Sequence, residues 1–133
     1  MEYLCNSARP PSLQYRICAL TIGYIMDAAK TAYKILTADQ WAQFQADGMF
    51  AGAPVDLADG YIHLSAADQV QGTLDRHFAG PGGAAQAGLV IAQIDLTQLE
   101  GAVLWEASRG GALFPHVYGR PLPMGAVLSF RPA

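Results

Sequence analysis

The stretch Leu89-Val90-Ile91-Ala92-Gln93-Ile94-Asp95-Leu96 decides the fold class. It is a nearly continuous apolar run with Gln93 inside it. Such a run is too short for a typical helix and suits a strand buried on both faces. We read it as the central, most buried strand. Downstream, a turn near Glu100-Gly101 leads into a strand over Ala102-Val103-Leu104-Trp105. Ser108 to Gly111 reads as a turn. Phe114 to Tyr118 reads as short and extended, and Pro115 argues for an edge or interrupted strand, because proline cannot donate to a ladder. Ala126-Val127-Leu128-Ser129-Phe130 closes the fold.

Upstream, Ala32-Tyr33-Lys34-Ile35-Leu36 alternates like a short strand. A helix then starts at Thr37. Thr37 and Gln40 have capping-box spacing, and Leu36 and Trp41 have the spacing of a hydrophobic staple. Trp41 and Phe44 share a face, and Gly48 is placed to end the helix. Gly52 to Gly60 reads as a turn-rich connection. Tyr61-Ile62-His63-Leu64 reads as a strand, and Ser65 as the cap of a second helix with Asp68 at its third position. Val70, Leu74 and Phe78 form an apolar stripe on that helix. Gly80-Pro81-Gly82-Gly83 stops it, and a Gly/Ala-rich loop follows as far as Gly88. Two helices with a mainly antiparallel sheet make this an α+β fold.

The chain has 133 residues, the usual size of one domain. Apolar residues make up 52% and charged residues 14%, which points to a compact globule and away from disorder. A net charge of −3 argues against a general nucleic-acid surface. The charge is uneven. Residues 1–106 carry 5 basic and 11 acidic groups, whereas residues 107–133 carry only Arg109, Arg120 and Arg131. That positive C-terminal stretch either holds a small anion or merely solvates the surface. Cys5 and Cys18 form no C-x-x-C pair, which fits a reducing compartment and a cytoplasmic location. Ile17 to Met26 is apolar but too short to span a bilayer. Residues 1–25 read as an extension outside the domain, Met26 as the natural start, and 26–133 as one domain.

Strand parity gathers the polar candidates. Tyr61 and His63 share one side of their strand, and Phe114, His116 and Tyr118 share one side of theirs. If those faces meet, they make a pocket with stacking walls and titratable nitrogens. Histidine titrates nearest neutral pH, so His63 and His116 are the candidate acid–base groups. The alternative for each is a satisfied packing histidine. His77 fits a helix C-terminus better. In Trp105-Glu106-Ala107-Ser108-Arg109-Gly110-Gly111, a carboxylate, a hydroxyl and a guanidinium follow a strand end. Arg109 suits bidentate binding of phosphate or carboxylate, and the alternative is a Glu106–Arg109 ion pair in a polar turn. Trp41 and Trp105 read as core. Three histidines without close spacing do not make a metal site. No phosphate-binding loop or nucleophile elbow occurs.

Four stretches, taken together, resemble a known family. They are Tyr33-Lys34-Ile35-Leu36, Gly60-Tyr61-Ile62-His63-Leu64-Ser65, Trp105-Glu106 with Ser108-Arg109-Gly110-Gly111, and Phe114-Pro115-His116-Val117-Tyr118-Gly119. In order and spacing they are similar to the bacterial domain of unknown function 952 (DUF952) family. The resemblance covers about residues 31–130 and implies a fold like the ADP-ribosylation superfamily, with a split, mostly antiparallel sheet. It implies a cleft for a nucleotide or ADP-ribose-like ligand, with NAD as the candidate cofactor and an ADP-ribosyl or phosphoribosyl-type transfer as the candidate reaction. On that reading His63, Glu106 and His116 are the catalytic candidates. Tyr61, Ser65, Ser108, Arg109, Tyr118 and Arg120 are the ligand-binding ones. The competing expectation is a non-catalytic module that binds a metabolite or a protein. A concave pocket would favour the first, and a flat apolar patch the second.

Overall fold

In a computed structural model, residues 30–79 and 86–133 are described. The extension at 1–25, the start at Met26 and the Gly80–Gly83 stop lie outside them. Strand β1 (Thr31–Leu36) pairs antiparallel with β4 (Val90–Asp95), which pairs antiparallel with β8 (Val127–Pro132). The expected central strand is therefore central, in the order β1-β4-β8. Its apolar continuity has a simple cause. Ala92 and Ile94 enter the main core with Leu36, Phe44, Leu99 and Leu122, while Ile91 faces a second cluster with Ile35, Val70 and Leu89. Ala92 and Ile94 fill one face of β4 and Ile91 is buried on the other, which turns polar only at the half-buried Gln93 and Asp95.

Helix α1 (Ala38–Asp47) follows β1 and begins as its sequence dictates. Gln40 N–H donates to Thr37 Oγ1 at 3.1 Å, and Thr37 N–H donates back to Gln40 Oε1 at 2.9 Å. Gly48 ends the helix at φ 75°, a left-handed conformation that costs glycine nothing. Trp41 and Phe44 are buried edge to face, with ring centroids 5.7 Å apart. Trp105 is only partly buried, packed on the margin of the main core.

Three expectations need correction. The stretch Gly52–Gly60 contains a helix, α2 (Pro54–Asp59), so the described residues form three α-helices where two were expected. Proline at its first turn and Asp56 at its third position set this short helix. Ser65 does not cap the next helix. Its backbone pairs with Tyr33 in both directions, at 2.8 and 2.9 Å, and its hydroxyl lies 3.1 Å from Thr73 Oγ1. A short turn of 3-10 helix over Ala67–Gln69 then leads into α3 (Val70–His77), whose Val70, Leu74 and Phe78 stripe packs on Ile35 and Ile91.

The third correction concerns Pro115. Strand β6 (Leu113–Val117) is the middle of a second sheet, between β3 (Ile62–His63) and β5 (Val103–Ala107), not an edge. The Pro115 carbonyl accepts from Leu64 N–H at 3.0 Å, so its ring nitrogen also faces β3, just where that two-residue strand ends. The ladder to β5 needs no proton from Pro115. A third sheet is the pair β2 (Met49–Phe50) and β7 (Leu122–Pro123). Among the described residues every strand pairing is antiparallel. The Tyr33–Ser65 bridge ties β1 to the segment after β3.

Candidate functional site

The site grows out of the β3–β6 register. His63 stands directly opposite His116, and Ile62 opposite Val117. Ile62 and Val117 turn into the core. Their neighbours therefore turn to the other face, where Tyr61, His63, His116 and Tyr118 meet as parity requires. Tyr61 stacks on His116 with centroids 4.2 Å apart and rings inclined by 29°. It also lies 4.6 Å from His63 and 5.1 Å from Tyr118. The two imidazoles meet edge to face at 5.4 Å.

Each histidine is oriented by its own carboxylate. His63 Nδ1 lies 2.6 Å from Asp56 Oδ1, and His116 Nδ1 lies 2.7 Å from Glu106 Oε1. Carboxylates accept, so in both rings Nδ1 carries the proton, as in carboxylate–imidazole pairs generally. Tyr118 also donates to Glu106 Oε1, at 2.6 Å. Asp59, the last residue of α2, places Oδ2 3.0 Å from His63 Nε2. His63 is thus held between two carboxylates, and both contacts are satisfied as hydrogen bonds when both ring nitrogens are protonated.

Asp56 is the anchor of the site, and sequence reasoning missed it. It is 2% exposed. Its oxygens accept from Ala53 N–H at 2.7 Å, His63 N–H at 3.1 Å, the His63 ring, and Lys34 Nζ at 2.9 Å. Burial opposes its charge. The His63 hydrogen bond, the Lys34 charge and the Ala53 amide outweigh burial and push its pKa down to about 2. Lys34 is 6% exposed and bridges Asp56 to the His63 carbonyl, 3.0 Å away. Burial lowers the Lys34 pKa, against the pull of Asp56. Lys34 shares its strand face with buried Ala32 and Leu36, a parity that marks it as an inward-pointing charge. Gly52 completes the anchor. Its φ is 133°, and a Cβ there would lie 3.0 Å from Asp56 Cβ.

These groups open into a cleft of about 540 Å³ between β1, α2, α3 and β6. That volume suits a small-molecule site. His63, His116, Tyr61, Ser65 and Ser108 all line it, together with Lys34, Asp56 and Asp59. His77 lines it too, from the end of α3. Two other candidates stand behind the wall. Glu106 and Tyr118 do not border the cleft and act on it through His116. Burial first, and then Glu106, raise the Tyr118 pKa, so its phenol stays protonated as a donor. Burial, followed by the charges of Asp59 and Glu106, raises that of Tyr61. Arg120 borders a separate cavity of about 300 Å³. The Arg109 backbone lies in the turn Arg109–Gly111, and its side chain is outside the described part of the molecule. Among the described residues, no helix is long and apolar enough to cross a membrane.

Known proteins give the arrangement a family. No functionally curated protein matches the chain. The X-ray structure of protein CC0527 from Caulobacter crescentus is similar at 45% identity, covering 77% of this chain and 84% of that one, with a TM-score of 0.70. A solution NMR structure of CC0527 is also 45% identical, with a TM-score of 0.65. Residues 35–130 match the family model described as "Protein of unknown function (DUF952)", a span that holds the cleft lining apart from Tyr33 and Lys34, both carboxylate–histidine pairs and Arg120. The chain belongs to the DUF952 family.

Proposed function

We propose that the cleft binds a nucleoside-like ligand and that His63 is the group that exchanges a proton with it. The observation that carries this reading is the Asp56–His63 contact of 2.6 Å at the wall of a cavity of about 540 Å³. A buried carboxylate held by a lysine and two amides is a rigid orienting group; it fixes Nδ1 of the ring and leaves Nε2, 3.0 Å from the part-exposed Asp59 carboxylate that lines the cleft, as the nitrogen for exchange. Tyr61 and Phe114 supply aromatic surface for a planar base, and Asp59 and Ser65 supply acceptors for sugar hydroxyls.

His116 is the second proton-transfer candidate, with Glu106 orienting it. A direct role for Glu106 beside a reacting sugar is the less economical version, because its Oε1 is already engaged by His116 and Tyr118. An ADP-ribose-like ligand, with NAD as its parent, is the fullest form of this reading, and ribosyl transfer is the reaction it suggests. Shared chemistry of this kind supports a binding cleft more strongly than a reaction. The test is amide-shift NMR on the full chain with adenosine, ADP-ribose and NAD. The reading expects saturable shifts centred on Tyr61, His63, Ser65 and His116, lost in Tyr61→Ala. It is overturned if millimolar ligand shifts none of them.

A second reading, a protein-binding module, draws on β8. This edge strand exposes Leu128 and Phe130 on one side, at 53% and 57%. Concentration-dependent sedimentation, abolished by Leu128→Lys, would favour it.

A further inference from the structure

Arg120 has no part in the cleft just described, yet it borders a cavity of its own. That cavity, about 300 Å³, is lined by Asp56, Gly60, Tyr61, Gly119 and Arg120 among others. It shares Asp56 and Tyr61 with the main cleft, so both spaces border the Tyr61 side chain.

The charges of the two spaces differ. The main cleft is lined by Asp56 and Asp59, by the imidazoles of His63, His77 and His116, and by the single ammonium of Lys34, which Asp56 already neutralises. It suits a neutral or hydroxyl-bearing group and disfavours an anion. The lesser cavity holds a guanidinium. Among the described residues Arg120 has no carboxylate partner, and its one described hydrogen bond is a long one, Nη1 to the Gln98 carbonyl at 3.4 Å. A guanidinium fork with most of its donors uncommitted is matched to a phosphoryl group. The floor beside it is open. Gly60 and Gly119 both carry positive φ, and a Cβ at either would meet nothing within 4 Å. Bare backbone next to an arginine allows close approach of an oxyanion.

We propose that the lesser cavity is an anion subsite for the same ligand, which is therefore a nucleoside phosphate lying across Tyr61, base and sugar in the main cleft and phosphoryl group at Arg120. The inference rests on the nucleoside reading of the cleft. It removes the need to place a phosphate beside Asp56 and Asp59.

The experiment is calorimetric and NMR titration of the full chain with adenosine, adenosine 5′-monophosphate and inorganic pyrophosphate, in wild type and Arg120→Met. Arg120 is exposed, so its replacement leaves the fold intact. The expected result is monophosphate binding at least tenfold tighter than adenosine. The advantage disappears in Arg120→Met while adenosine affinity is unchanged. Equal affinity for the two ligands in wild type overturns the subsite and leaves the cleft reading standing. Pyrophosphate shifts at Gly119 and Arg120 without any adenosine binding support the subsite and overturn the nucleoside cleft. No binding of any probe overturns both.

Discussion

Removing the Asp56 carboxylate tests the anchor of the site most severely. Asp56→Ala leaves Lys34 as a buried ammonium with only the His63 carbonyl as an acceptor, and strips Ala53 and His63 amides of theirs. Breaking a buried ion pair from one side costs about 3–5 kcal/mol. For a domain of this size that lowers Tm by roughly 15–25 °C. Lys34→Met is the informative partner. It leaves Asp56 with three donors, from Ala53, the His63 amide and the His63 ring, and replaces a buried ammonium by a side chain of similar length. Its cost should be about half as large, on the order of 2 kcal/mol. In the double variant Lys34→Met/Asp56→Ala no orphaned charge remains, so its loss should fall short of the sum of the single losses by about 1–3 kcal/mol. Urea unfolding followed by Trp41 and Trp105 fluorescence gives all three values. If Asp56→Ala cost less than Lys34→Met, or the two losses simply added, the reasoning about the buried pair would be refuted.

Three more outcomes follow from particular contacts. Asp56 has its pKa pushed down to about 2 in the folded chain, against about 4 when unfolded, so its contribution is present above pH 4 and disappears as the pH falls toward 2. Acid unfolding should show that loss, on the order of 2 kcal/mol, and Asp56→Asn should flatten the slope in the same window. Thr37→Ala removes the acceptor for Gln40 N–H and should cost about 1 kcal/mol in thermal unfolding, whereas Thr37→Ser should cost far less. Glu106→Gln should bring the ionisation of Tyr118 down toward the ordinary phenol range, followed by phenolate absorbance. The return should be partial, because burial is the larger cause of the shift.

Much of the frame could be read from local pattern. The Thr37–Gln40 box, the Gly48 stop, the Val70–Leu74–Phe78 stripe and the buried run at 90–95 each depend on near neighbours, and each is present. So does the parity that brings Tyr61, His63, His116 and Tyr118 to one face. The misses have a common origin in partners distant along the chain. Ser65 looks like a cap until Tyr33 takes its backbone, and Pro115 looks like an edge residue until β3 proves too short to need its proton. Asp56 looked like part of a turn because α2 is only six residues long and bounded by glycines. Two signals were available. Pro54 and Asp56 stand at the positions that favour a helix start, and Lys34 sits in phase with Ala32 and Leu36. A lysine on a buried strand face requires a carboxylate somewhere, and that requirement could have directed attention to Asp56 and from it to the orientation of His63.

The central claim is that His63, fixed by Asp56, faces a ligand in the cleft. Intermolecular nuclear Overhauser effects between bound adenosine and the protein rings test it most directly. The account predicts cross-peaks from ribose protons to His63 and from base protons to Tyr61, with the His63 Nδ1 proton still held by Asp56. Saturable binding with cross-peaks elsewhere, and none to His63 or Tyr61, would contradict it.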